Sequence, residues 1–169
     1  MNQRTSFENT ACSIARTLNI IGEWWTILIL RDIFYKITRF SALREHLGIS
    51  RKILTIRLNS LIENNILKRK RYQSNPSRFE YVLTEAGKEL FPVIIALKEW
   101  GDKWIYEGKE IPIILYSDKS SKSIKPLLID ENTGKPIVYG SVRADKGSES
   151  FQNEWDSLVK AVEKRRLNS

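Results

Sequence analysis

The apolar positions predict two helices near the N-terminus. Ile14, Leu18 and Ile21 recur at helical spacing within residues 12–21, and Gly22 interrupts this pattern. Residues 24–34 follow and are apolar on almost every side. A helix without a polar face is buried, so the second helix is predicted to lie at the centre of the fold.

A short helix, a tight turn and a longer helix are predicted next. Ser41 is a suitable N-cap for residues 42–47, and Gly48 suits a left-handed C-cap. Ser50 then caps the longer helix, residues 51–64.

The longer helix has two distinct faces. Leu54, Leu58 and Leu61 recur at i, i+4 and i+7, so they form one stripe toward the core. The far side is mainly polar and basic, with Arg51 and Arg57 on the flanks and, opposite the leucines, Lys52, Thr55, Ile56 and Asn59. This arrangement is typical of a helix-turn-helix.

A β-hairpin directly after this helix predicts a wing. Residues 66–72 and 78–83 have strand character, and the cluster 74–77 is rich in turn residues. The hairpin is as basic as the helix, since it carries Lys68, Arg69, Lys70, Arg71 and Arg78.

A long helix with Thr84 as N-cap is predicted to run to about residue 106. Its apolar stripe is Leu90, Ile94, Leu97, Trp100 (or Gly101) and Trp104. A stripe of this length exceeds what a small winged domain covers, so it is expected to pack against a second subunit. Pro92 is expected to bend the helix unless it falls where the preceding carbonyl is already unpaired.

The remaining chain predicts a different region. Three short strands are expected at 111–117, 124–130 and 136–143, with a hairpin turn at 132–134, and a final amphipathic helix at 151–167. The predicted fold is mainly α with a small β component. It comprises a winged helix-turn-helix with dimerising helices in residues 1–107 and a small β-rich extension with the final helix in residues 108–169.

The net charge is concentrated in one segment. The chain carries +8, and between Arg31 and Glu80 twelve basic residues face four acidic ones, an excess of eight. The rest of the chain is balanced, so this segment predicts a surface that binds a polyanion. A solvated basic face without a partner is the alternative.

Composition excludes several classes of protein. The first ten residues lack the apolar run of a signal peptide, and the longest apolar stretch is far shorter than the about 20 residues of a membrane span, which favours the cytoplasm and no membrane partner. One cysteine and one histidine exclude a disulfide framework and make a metal site improbable. We expect no enzyme activity and no cofactor, because there is no Ser/His/Asp order and no glycine-rich phosphate loop.

From Cys12 to about Trp104 the chain resembles the HxlR family of the wider MarR-like group. The order and spacing of several short stretches carry the resemblance: Ile21-Gly22, Trp25 to Leu30, Arg39-Phe40-Ser41, Gly48-Ile49-Ser50, Leu54-Thr55, Arg57-Leu58, Glu80-Tyr81, Leu83-Thr84, Gly87, Pro92 and Trp100-Gly101. The chain departs from the family pattern at Ser13, Trp24 and Ala42, where proline, a basic residue and an acidic residue are usual. The region after residue 108 looks like the tail of longer family members.

The resemblance implies a homodimeric regulator of transcription that binds double-stranded DNA. The helix from Arg51 would enter the major groove and the wing would reach the minor groove. The first helix and the long later helix would form the dimer, so its interface is expected at Leu18, Leu90, Ile94, Leu97, Trp100 and Trp104.

Individual DNA contacts are predicted from side-chain chemistry. Lys52, Thr55 and Asn59 are expected to contact DNA at base edges or phosphates, although an ordinary solvated helix face is the alternative. Arg39, Arg51 and Arg57 are expected to contact phosphates, and Ser50 is expected among the DNA-binding residues. Lys70 and Arg78 of the wing are expected to contact the DNA backbone or the minor groove. Arg57 could also pair with Glu63 or Glu80.

Signal sensing is expected from two features. Cys12 lies at the start of the first helix, where the helix dipole favours a thiolate, and some HxlR-like proteins sense oxidants or electrophiles with such a cysteine. The alternative is a buried packing cysteine. Four tryptophans could also line a pocket for a small-molecule effector, although core and interface packing fits them better: Trp24, Trp25, Trp100 and Trp104.

His46 is expected at the surface without a role. The main alternative function is a winged-helix module that binds protein or RNA without operator specificity, since this fold supports both.

Overall fold

The computed structural model describes residues 7, 8 and 10–167. Two compact units divide the chain: the first is built around Ile14–Pro126, and the second contains residues 127–167 together with residues 10–13. No helix in the described part of the chain has the length and apolarity needed to cross a membrane.

The first unit is a winged helix-turn-helix. Four helices lead into a two-stranded antiparallel sheet and two more helices: α1 Ser13–Ile21, α2 Trp24–Phe34, α3 Phe40–Leu47, α4 Arg51–Glu63, β1 Leu67–Gln73, β2 Arg78–Leu83, α5 Glu85–Lys88 and α6 Phe91–Trp104. This element order confirms the predicted fold class.

The core forms around α2, as its apolar sequence predicts. Fully buried side chains from α2, α3 and α4 meet there: Ile29, Leu30, Leu43, Leu54, Leu58 and Leu61. Ile94 of α6 completes the cluster from the other side. The burial of all three leucines of α4 sets which face of that helix points outward.

Caps fix the ends of the helix-turn-helix. Gly48 has φ 62°, the left-handed conformation that favours glycine. Ser50 Oγ accepts from the Ile53 N–H at 3.3 Å, and Thr84 Oγ1 accepts from the Gly87 N–H at 3.1 Å. The predicted N-cap at Ser41 was wrong, because Arg39 holds the extended position and pairs with Glu80 of β2, so α3 begins at Phe40.

The single long helix after Thr84 was also a wrong prediction. The chain forms the short α5 and then α6, with Glu89 and Leu90 between them. Pro92 lies in the first turn of α6, where its missing N–H would have no partner inside the helix. The proline therefore starts a new helix instead of bending a continuous one.

The second unit contains the predicted final helix. A short 3-10 turn, Glu149–Phe151, leads into α7 Gln152–Leu167. Within this unit, Asp130 accepts hydrogen bonds from the Asn132 N–H and the Thr133 hydroxyl, which lower the pKa of its carboxyl and close the predicted turn.

The three strands predicted after residue 108 do not form. In the described part of this region only two isolated bridges occur, Tyr116 with Ser123 and Ile129 with Pro136. Each predicted strand contains a proline, which cannot donate to a β-ladder. Among the described residues none after Ile95 is buried, so the region has no apolar core of its own.

Candidate nucleic-acid interface

The outer face of α4 is the centre of the candidate interface. Its buried leucines hold the helix on the core, and Arg51, Lys52 and Thr55 are exposed on the opposite side or its edges. Neither Arg51 nor Lys52 forms an ion pair with any residue that the structure describes. Both charges are therefore available to phosphates or base edges.

Thr55 and Asn59 on the same face already have partners. The Thr55 hydroxyl donates to the carbonyl of Arg51 at 2.8 Å, which leaves its oxygen free to accept. Asn59 Oδ1 accepts from Arg69 Nη2 of β1 at 3.0 Å. The amide group of Asn59 keeps its own donors, and the hydrogen bond joins the helix to the wing.

Arg57 is engaged inside the protein. Its Nη2 lies 3.0 Å from Glu23 Oε2, and both side chains are partly buried. Its Nε is buried and has no hydrogen-bond partner among the described residues. The partner of Arg57 is thus Glu23, and neither Glu63 nor Glu80 takes that place.

Arg39 connects the wing to the start of α3. Its guanidinium lies 4.3 Å from the centre of the Tyr72 ring, an attractive cation–π arrangement. The backbone of Arg39 pairs with Glu80, and the Tyr81 N–H donates to Thr38 O at 2.8 Å. Through these contacts residues 38 and 39 lie as a short extended segment alongside β2.

The tip of the wing is ordered by its own side chains. Arg71 Nη2 donates to Ser77 Oγ at 2.7 Å and to Ser74 O at 3.2 Å. Lys70 pairs with Glu80 at 3.5 Å and is two-thirds exposed, at 67%. Arg78 is exposed and has no ion pair within the described residues, so the wing presents free positive charge.

Two exposed isoleucines on α4 were not among the predicted site residues. Ile53 and Ile56 are 37% and 49% exposed. An apolar side chain on a groove-facing helix can contact the methyl group of thymine. The sequence placed Ile56 on the outer face of the helix, but the predicted contacts were chosen among polar and charged side chains, so Ile56 was left out.

Comparison with known proteins identifies this arrangement. A model of HxlR-like helix-turn-helix proteins matches residues 20–109. The chain belongs to the HxlR-like helix-turn-helix family. It is a transcriptional regulator of the helix-turn-helix type, and the predicted resemblance is confirmed.

Relatives of this HxlR-like chain include an uncharacterised HTH-type transcriptional regulator of Mycobacterium tuberculosis. The two are 39% identical over 135 residues, which cover 80% of this chain and 85% of the relative. The regulator YdeP of Bacillus subtilis, also uncharacterised, is 35% identical over 94 residues, 55% of this chain and 73% of its own length.

Two solved structures match most of the regulator. The candidate transcription factor PA1607 has a TM-score of 0.76 and 31% identity, covering 84% of this chain and 99% of its own. The candidate transcription factor PA1374 from Pseudomonas aeruginosa has a TM-score of 0.60 and 30% identity, covering 85% and 99%. Both matches extend beyond the share of the chain that residues 20–109 occupy.

The residues predicted for the dimer interface fall into two groups. Leu97, Trp100 and Trp104 of α6 are between 53% and 61% exposed, and Leu18 of α1 is 45% exposed. Ile94 is only 8% exposed and belongs to the protomer core, against which Leu90 also packs. Of the α6 residues predicted for the dimer interface, the exposed ones are therefore Leu97, Trp100 and Trp104.

Cys12 lies immediately before α1 and is exposed. Its exposure contradicts the alternative of a buried packing residue. Within the described residues no group of histidine, cysteine and acidic side chains could hold a metal ion.

A buried carboxylate ties α2 to α3. Asp32 is fully buried, and Arg31 donates to its Oδ1 while His46 Nδ1 lies 2.7 Å from its Oδ2. His46 is at the surface as predicted, with its side chain 53% exposed, yet it has a partner. The acidic residue within an apolar helix was the signal that could have revealed this link, because a buried charge requires partners.

Proposed function

We propose that this regulator is a homodimer that binds specific sequences of double-stranded DNA. The observation that carries the proposal is the outer face of α4, where Arg51 and Lys52 are exposed without acidic partners among the described residues, opposite leucines that are fully buried. A helix held in this way presents side chains that can enter a major groove.

The proposed contacts divide by chemistry. Lys52 and Thr55 would read base edges, and Asn59 would do so with its amide donors while Arg69 holds its oxygen. Ser50 and Arg51 at the N-terminus of α4 would bind phosphate. Arg39, Lys70 and Arg78 would contact the backbone beside the wing, whereas Arg57 would act mainly through its ion pair with Glu23.

Selection of bound duplexes from a random pool tests sequence-specific binding. We expect enrichment of an inverted repeat, because a two-fold dimer places two α4 helices about one helical turn of DNA apart. Equal recovery of all duplexes, or preference for an RNA pool, would instead favour the module that binds RNA or protein without operator specificity.

The dimer is proposed from the exposed apolar stripe of Leu97, Trp100 and Trp104, which a second copy would cover. Light scattering at micromolar concentration should report a dimer for the native protein and a monomer for Trp100→Glu. Tyr139→Glu, at a fully exposed aromatic residue of the second unit, is the matched control and should remain dimeric. A monomeric native protein would contradict the proposal.

Two finer features belong to the same proposal. Cys12 is exposed at the start of α1 and would report oxidants or electrophiles. The protein would act in the cytoplasm, because a regulator of transcription must reach the DNA.

A further inference from the structure

A cavity of about 310 Å³ lies between α2 and α6 of the first unit. This volume is at the lower end of the range for small-molecule pockets. Aliphatic side chains form most of its wall: Ile27, Leu28, Ile94, Ile95, Leu97 and Ile113. Tyr35 is the only aromatic side chain among the described residues of the lining, so the wall suits an alkyl chain better than a ring that needs a stacking partner.

The described part of the lining contains three charged residues, and together they carry a net positive charge. Lys98 and Asp102 form an ion pair with each other, and each side chain is 17% exposed. Arg31 is the remaining lining cation, with its side chain 35% exposed. The charge of the lining therefore complements a single anionic group.

The guanidinium of Arg31 has donors to spare. Its Nε and Nη2 donate to Asp32 Oδ1 at 3.0 and 2.7 Å. Its Nη1 has no hydrogen-bond partner among the described residues. A guanidinium with one edge occupied can still donate to a second carboxylate.

We propose that this cavity binds an alkyl carboxylate of about ten non-hydrogen atoms, with the carboxylate on Arg31 and the chain among the isoleucines and leucines. The apolar wall supplies most of the binding, and the charged group fixes its orientation.

The same arginine links the cavity to the helix-turn-helix. Asp32 is fully buried and depends on Arg31 from α2 and on His46 from α3. A ligand carboxylate shares the guanidinium of Arg31 with Asp32 and weakens its hydrogen bonds to the buried carboxylate, which loosens the contact between α2 and α3. Because α3 is followed directly by α4, ligand binding lowers DNA affinity; this step alone rests on the proposed function.

Direct titration tests the ligand site in the full chain. Octanoate is the probe, and octanol, which has the same chain without the charge, is its control; both are followed by isothermal titration calorimetry. We expect octanol to bind at least about tenfold more weakly than octanoate, because it loses the charge-assisted hydrogen bonds of Arg31. Equal binding of the two, or no binding of octanoate, overturns the proposal.

A pair of matched variants locates the site. Ile113→Trp fills the cavity, whereas Ile111→Trp makes the same change two residues away, outside the lining. The first should lose octanoate binding and the second should keep it, and neither should change DNA affinity in the absence of octanoate. Retention of native binding by Ile113→Trp places the ligand elsewhere and overturns the proposal.

The effect of the ligand on DNA binding is tested by measuring DNA affinity with and without octanoate. Saturating octanoate should lower DNA affinity at least about fivefold in the native protein, the lower end of usual allosteric coupling. His46→Ala should bind octanoate as the native protein does and lose this effect, since His46 acts as a positioning residue. Octanoate that binds without changing DNA affinity overturns the coupling, while failure to bind any duplex contradicts only the proposed function.

Discussion

Lys52 and Arg57 lie on the same helix, but their surroundings assign them different tasks. Lys52 is exposed opposite the buried leucines, whereas Arg57 is partly buried against Glu23. Lys52 can therefore contact DNA without breaking an interaction within the protein. Arg57 contributes to holding α4 beside the start of α2.

Lys52→Ala should therefore weaken binding to the preferred duplex by about 1–3 kcal/mol and relax selectivity at one or two base positions. Quantitative binding to the selected site and its single-base variants measures both effects. Lys88→Ala removes an exposed lysine of α5 that pairs with Glu85, and it should change neither. An equal loss on specific and random duplexes would mean that Lys52 contacts only phosphate.

Arg57→Ala should lower the free energy of unfolding by about 1–2 kcal/mol, because it removes an ion pair in a partly buried position, between the values typical of exposed and of buried pairs. Urea denaturation followed by tryptophan fluorescence measures the change. In a double-mutant cycle with Glu23→Gln, the two losses should be less than additive. Strict additivity would show that the ion pair contributes nothing.

Cys12→Ser should keep native DNA affinity in reducing buffer, since Cys12 lies outside α4 and the wing. Diamide should release DNA from the native protein and leave the variant bound, because the chain has one cysteine and oxidation must proceed through it, by an adduct or by a link between two copies. Binding assays with and without diamide, and a non-reducing gel, separate these outcomes. Native protein that stays bound under diamide would remove the sensing role.

At the scale of the element, close packing around α5 is specified by a glycine. A Cβ on Gly87 would lie 2.2 Å from the carbonyl oxygen of Ile66 and 3.1 Å from a methyl group of Leu83. The absence of a side chain therefore lets α5 approach the strands of the wing.

Gly87→Ala should accordingly destabilise the protein by about 1–3 kcal/mol, as overpacking in a tight contact does. Gly101→Ala is the control within α6, because the nearest atom to its Cβ would be 3.9 Å away. That change should be neutral or stabilise by up to about 1 kcal/mol through helix propensity. At one protein concentration, the urea midpoint of Gly87→Ala should lie below the native midpoint, and that of Gly101→Ala should lie at or above it. Equal midpoints for the two variants would contradict the role of Gly87 in packing.

Local patterns were sufficient for most elements of the first unit. The leucine stripe of α4 and its cap at Ser50 require only neighbouring residues, and both are confirmed. The start of α3 was missed because it depends on the pairing of Arg39 with Glu80, a contact between distant parts of the chain. The strands after residue 108 failed because alternating apolar residues are not sufficient where prolines interrupt the ladder.

In the candidate interface too, local features could be predicted from the sequence and contacts between elements could not. The basic face could be predicted from helical periodicity, but the partners of individual side chains could not. Asn59 meets Arg69, and Asp32 meets His46, only after the helices and the wing have packed. Helical angles locate a residue on its own element and carry no information about neighbouring elements.

At the scale of the whole molecule, the concentration of positive charge predicts a strong effect of salt. If a dimer neutralises about six to eight phosphates, log affinity should fall with log salt at a slope of roughly −5 to −7. Binding isotherms between low and moderate potassium chloride give this slope. A slope near zero would indicate a partner that is not a polyanion.

The hydrogen bond between Asn59 and Arg69 also has a consequence for the DNA. It joins the helix proposed for the major groove to the wing proposed for the minor groove, and Arg39 makes a second contact to the wing at Tyr72. The distance between the two groove contacts is therefore set by the protein. An operator would tolerate base changes in the stretch between these contacts, but inserting one base pair there would turn the outer contact by about a tenth of a helical turn and out of reach.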